Sequence, residues 1–98
     1  MKYKIGNRNL KRVIEIIKII DSKITSETDV IWAGYDSPDE LKYDIRSDLE
    51  ALINGDLSKL EKFSIHFAPT STFQELSMSN GWSDEYLQLA KEFDKNIT

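Results

Sequence analysis

Apolar residues recur at three- and four-residue steps along much of the chain, the spacing that lines one face of a helix. Leu10, Val13, Ile14, Ile17, Ile20 and Ile24 form such a stripe and predict a first helix over residues 9–24, with Asn7 or Asn9 as its cap. Ile16 and Ile19 fall outside the stripe. This helix therefore seeks apolar contact around more than half its girth, so it is either central to the fold or turns a second face to a partner. The start of the second helix is written most clearly. Ser37 is the N-cap, Pro38 takes the first helical position and Glu40 completes a capping box. Leu41, Ile45, Leu49, Leu52 and Ile53 form its apolar face, and Asn54-Gly55 stops it. Asp56 then caps a short third helix over 57–62, with Leu57 and Leu60 inward. A last helix begins at Ser83, carries Asp84 and Glu85 in its first turn, and buries Tyr86, Leu89, Ala90, Phe93 and Ile97.

Three segments follow other patterns. Residues 25–36 are polar apart from Val30-Ile31-Trp32-Ala33, a run with strand-like residues that reads as a strand or a buried loop anchor. Phe63, Ile65 and Phe67 alternate with Ser64 and His66, a period of two that predicts a brief strand ending at Pro69. Residues 71–79 read two ways. Thr72 with Glu75 resembles a capping box and favours a short helix carrying Phe73 and Leu76, closed by Asn80-Gly81; the alternative pairs 74–79 with 63–67 as a hairpin. The expected fold is mainly α: one domain spanning 1–98, a compact bundle of about four helices, with a minor two-stranded β element from 30–33 and 63–67. An α+β fold is the alternative.

Composition narrows the chemistry. Hydrophobic residues make up 40% of the 98 and charged residues 31%, ordinary globular values. Cysteine is absent, which excludes disulfides and thiolate zinc sites. No apolar run is long enough to cross a bilayer, and Arg8, Lys11, Arg12 and Glu15 interrupt any signal-like core after the basic start at Met1-Lys2-Tyr3-Lys4. The expected location is the cytoplasm, and the frequent Ile, Lys and Asn fit a low-GC bacterial coding sequence. Gly6, Gly34, Gly55 and Gly81 stand far apart, so no phosphate-cradling loop exists. His66 is the sole histidine, and no Gly-x-Ser-x-Gly elbow accompanies it. If the alternation holds, His66 points away from the core as a partly exposed structural residue. The expectation is no enzyme, no cofactor and no metal.

Charge is unevenly spread. Residues 1–23 carry seven basic and two acidic groups, a net +5, whereas 24–98 carry six basic and fifteen acidic, a net −9. Such asymmetry can mark a tail that binds an anionic partner; the favoured expectation is a basic first helix packed beside acidic neighbours in the same fold. Glu40, Asp44 and Asp48 step by four on the second helix. Like charges at that spacing cost roughly 0.2–0.5 kcal/mol per pair, and basic groups from the first helix are the expected internal offset, a basic partner the external one. Tyr43 lies on the outer side of the same helix near Asp39, Arg46 and Glu50, while Trp32 and Tyr35 flank Gly34 just before it. These features make Glu40, Tyr43, Asp44, Asp48, Trp32 and Tyr35 the candidate partner-binding residues.

Residues 67–82 set polar groups between apolar anchors, and His66, Thr70, Gln74, Glu75, Asn80 and Trp82 are the candidate ligand-binding set. The expected function is a non-catalytic, acidic protein-binding module, in its concrete form an immunity- or antitoxin-like inhibitor of a basic partner. The alternative is a small regulatory or ligand-sensing domain with a pocket near 67–82. A nucleic-acid role through Arg8, Lys11, Arg12 and Lys18 is disfavoured, because these residues do not share a face and the net charge of −4 opposes phosphate. No membrane association is expected. The apolar excess on the first helix makes a homodimer plausible.

Overall fold

The computed structural model describes residues 4–97; Met1, Lys2 and Tyr3 of the basic start lie outside the described residues, as does Thr98. Five helices follow in chain order: α1 (Asn7–Ser22), α2 (Pro38–Ile53), α3 (Lys59–His66), α4 (Thr72–Ser79) and α5 (Ser83–Ile97). Each packs on two others. α1 lies against α5 and α2, α2 against α3, α3 against α4, and α4 against α5, which closes a ring of helices around one core. Arg12 reaches Glu92 and Lys23 reaches Glu85, so α1 and α5 run antiparallel. Asp21 meets Lys42 and Arg46, which brings the end of α1 to the start of α2. The acidic groups of α5 thus lie beside the basic residues of α1.

The mainly helical expectation holds, but the details differ. Residues 63–67 are not a strand, and no strand occurs among the described residues. Leu60, Phe63 and Phe67 are buried at steps of three and four, a helical stripe, while Ile65 faces out. The third helix therefore runs later than 57–62. Residues 30–33 form turns instead: the N–H groups of Ala33 and Tyr35 both reach the Val30 carbonyl, and of the apolar run only Val30 is buried. Residues 71–79 take the favoured helical form and supply the fifth helix. Its start is not the Thr72–Glu75 box; Ser71 stands at the N-cap without a side-chain bond, and Gln74 Oε1 instead accepts the Thr70 N–H at 2.7 Å.

α1 begins at Gly6 without a side-chain cap, so neither Asn7 nor Asn9 plays that part. Ile16 is fully buried and Ile19 half-buried against the core, so α1 uses its second apolar face inside the fold. α2 starts as expected, with Ser37 Oγ accepting the Glu40 N–H at 3.2 Å. It ends in a paired capping pattern in which Asp56 N–H reaches the Ala51 carbonyl and Gly55 N–H that of Leu52. Gly55 has a φ of 102°, a conformation in which a Cβ would be strained. Asp56 then accepts from the Ser58 N–H and hydroxyl.

Thr70, at the corner between α3 and α4, has a φ of 60°. A β-branched residue in that region stores strain on the order of 1–2 kcal/mol. Asparagine tolerates the left-handed conformation far better. Thr70→Asn is therefore expected to stabilise the fold by about 1 kcal/mol, read as a rise in Tm of about 4–8 °C. A lowered Tm would show that the Thr70 hydroxyl, which donates to the Pro69 carbonyl at 2.6 Å, outweighs the strain.

Candidate functional site

The acidic stripe on α2 is divided by its neighbours. Asp48 is only 6% exposed and faces α3, where Lys62 lies 2.7 Å and Lys59 3.6 Å from its carboxylate. Its charge holds the Lys62 ammonium in the protonated form, raising that pKa. Asp44 is half-buried and accepts the Tyr35 hydroxyl at 2.9 Å. Burial, then this hydrogen bond, raises the Tyr35 phenol above its ordinary value. Glu40 is exposed and has no cationic partner among the described residues. The internal offset thus exists but comes from α3, not from α1 as expected. The reason is geometric: Asp48 lies on the side of α2 turned to α3. The end of α1 supplies an acid, Asp21, whose carboxylate meets Lys42 at 3.5 Å and Arg46 at 3.2 Å. Lys42 also donates to the Asp21 and Ile24 carbonyls at 2.7 and 2.9 Å, closing the C-terminal end of α1.

The 25–36 loop is pinned at both ends. Asn80 accepts the Asp29 N–H and donates to the Asp29 carbonyl, each at 2.8 Å, and Tyr35 ties the other end to α2. Between these anchors Val30 is buried, and Ile31 and Trp32 project outward at 75% and 72% exposure. The loop tip is thus an apolar prominence on a held backbone. Around it in the chain stand Glu27, Asp36, Asp39 and Glu40, all exposed and without cationic partners among the described residues. Ile31 was hidden within an apolar run; its exposure follows from the turn over 31–34, which leaves only Val30 of that run buried.

Tyr43, 74% exposed, faces solvent on α2 beside Asp39, Arg46 and Glu50. Of the six candidate partner-binding residues, then, Trp32, Glu40 and Tyr43 are free to meet a partner, while Tyr35, Asp44 and Asp48 are committed to internal contacts.

The ligand-binding candidates do not converge on one cavity. His66 is 8% exposed, stacked on Phe73 at 5.0 Å between ring centroids, and its Nδ1 is buried without a hydrogen-bond partner. The expectation of a partly exposed His66 fails because its helix turns it inward, beside Phe63 and Phe73. Burial, then the neighbouring Lys62, lowers its pKa. Thr70 and Gln74 bond each other, and both ends of the Asn80 amide are used in joining α4 to the 25–36 loop. Trp82 is half-buried under Lys23, whose Nζ lies 5.4 Å from the ring. Glu75 is half-buried on the first turn of α4. A shallow cleft does exist nearby, lined by Phe67, Pro69, Gln74, Tyr86, Leu87 and Gln88, but of the candidates only Gln74 reaches it.

Comparison with protein-family models, with curated proteins and with solved structures gives no match. Among the described residues, no group of three or more His, Asp or Glu side chains is arranged to hold a metal ion, and no helix is long and apolar enough to cross a membrane.

Proposed function

We propose that the chain is a non-catalytic protein-binding module that engages a basic surface of a protein partner through the 25–36 loop and the start of α2. In its concrete form it is an inhibitor of the immunity or antitoxin kind. The observation that carries this reading is the exposure of Ile31 and Trp32 on a loop anchored at both ends. Two adjacent large apolar side chains held in water cost solubility and contribute nothing to the core, whereas a buried tryptophan is a common interface anchor. The unpaired carboxylates around them favour a cationic rim on the partner and fast, salt-sensitive association.

The test is retention of a protein from bacterial lysate on the immobilised chain at low and raised salt, with Trp32→Ala alongside. Trp32 is largely exposed, so the variant keeps the fold and loses the partner by tenfold or more, about 1.4 kcal/mol. Retention that ignores both salt and the loss of Trp32 sinks the reading.

A further inference from the structure

The outer face of α2 also combines exposed apolar groups with a charge that has no partner among the described residues. Tyr43, Arg46, Glu50 and Ile53 are spaced by three, four and three residues, which puts them on a single narrow stripe turned away from Leu41, Ile45 and Leu52. Tyr43 is 74% and Ile53 52% exposed. Arg46 is largely exposed and uses only Nε and Nη2 on Asp21. Glu50 has no cationic partner among the described residues. Ser47, small and exposed, stands beside the middle of the stripe in the shallow groove that Tyr43, Arg46 and Glu50 line.

The order of these residues is self-complementary. Tyr43 and Ile53 stand five positions before and after Asp48, and Arg46 and Glu50 stand two before and after it. Asp48 itself faces α3, but when two copies of the helix cross antiparallel at its level along the axis, Arg46 of each meets Glu50 of the other, and Tyr43 of each meets Ile53 of the other. A two-fold axis requires this reciprocity, residue i on j and j on i. A parallel arrangement would set Arg46 against Arg46 and Glu50 against Glu50. We propose that the outer face of α2 is a homodimerisation surface, closed by two reciprocal Arg46–Glu50 pairs and two Tyr43–Ile53 contacts around a two-fold axis. The crossing lies ten residues from Pro38, about 15 Å along the helix axis, so the two Trp32 loops stand at opposite ends of the pair. The proposal does not depend on the partner reading above. A single helix crossing buries an area at the low end of specific interfaces, and the association is accordingly weak and concentration-dependent.

Sedimentation of the full chain over a range of concentrations tests this. The wild type shows a mass that rises towards two chains. Glu50→Arg and Arg46→Glu each replace two attractions with two repulsions and weaken association by tenfold or more. Added salt weakens the wild-type dimer but strengthens what remains of the Glu50→Arg dimer. Mixing the two single variants restores association, because every cross-pair is then opposite in charge, and the double variant self-associates again. Arg46→Glu also faces Asp21, so each variant is checked by circular dichroism. If it does not fold, Glu50→Arg and Tyr43→Ala decide the matter, each expected to shift the wild type towards monomer. A wild type that stays monomeric throughout, or a dimer unmoved by Glu50→Arg and Tyr43→Ala, overturns the proposal.

Discussion

Phe93→Ala is expected to cost about 3–5 kcal/mol, enough to consume much of the stability of a domain this size. Phe93 is fully buried, and its ring stacks on Phe67 at 4.2 Å between centroids and 17° between planes. Phe67 in turn meets Phe73 edge-on at 4.9 Å and lies parallel to Tyr86 at 6.0 Å. These rings come from the end of α3, from α4 and from α5, so one side chain joins three of the five helices. The backbone depends on the same cluster: the buried Tyr86 hydroxyl donates to the Phe67 carbonyl at 3.1 Å. Burial pushes the Tyr86 phenol up to about 12, with Asp94 adding to it. Removing the Phe93 ring leaves a cavity that neighbouring aromatic rings, stiff and few in rotamers, cannot collapse to fill. Urea unfolding followed by circular dichroism reads the effect, and the thermal midpoint falls by about 15–30 °C. Phe93→Leu, which keeps most of the apolar volume, loses less. A loss below about 1 kcal/mol for the alanine variant would mean that the ring is not part of a packed core.

The sequence carried the signals that are local and lost those that depend on neighbours across the fold. α2 was legible at both ends because Ser37, Pro38 and Asn54-Gly55 act within a turn of their own positions. The inner faces of α1, α2 and α5 were legible because their stripes are long enough to define a period. Residues 63–67 were not, because five residues fit both a period of two and a helix whose middle apolar residue faces out. Only the addition of Leu60 reveals the three- and four-residue steps. That one choice of period also reversed the side on which His66 stands.

The candidate surface followed the same rule. The spacing of Glu40, Asp44 and Asp48 put three carboxylates on one face but could not say that α3 would bring Lys59 and Lys62 to the last of them. Nor could it say that Tyr35 would fold back onto Asp44. Trp32 belonged to a run that read as a strand or a buried loop anchor, and its 72% exposure shows that Trp32 is not the buried anchor.

His66 gives the fold an acid sensitivity that begins well above the carboxylate range. Its ring is held in the neutral form between Phe63 and Phe73, with Nδ1 buried and unpartnered. Lys62, one turn earlier on α3, opposes its protonation, while Asp48 and Asp44 on α2 favour it without overcoming burial. The folded pKa therefore lies below the ordinary 6.5. In the unfolded chain the imidazole takes a proton as the pH falls through 6.5; in the folded chain it does not. The unfolded state then binds more protons, so stability is fully present above about 6.5 and declines below it, by up to about 1.4 kcal/mol per pH unit, until the folded group also titrates. Glu92, held low by its hydrogen bond from Arg12, and Asp56, held low by Ser58, lose their contributions only further down, through the carboxylate range. The acid limb should accordingly have two stages, His66 contributing to the first. Urea midpoints measured from about pH 7.5 to about pH 5 should fall for the wild type and stay nearly level for His66→Leu, which fills the same apolar site without a titrating nitrogen. Parallel curves for the two proteins would show that the ring is protonated as easily inside the fold as outside it, and that its burial against Phe73 is not what keeps the proton away.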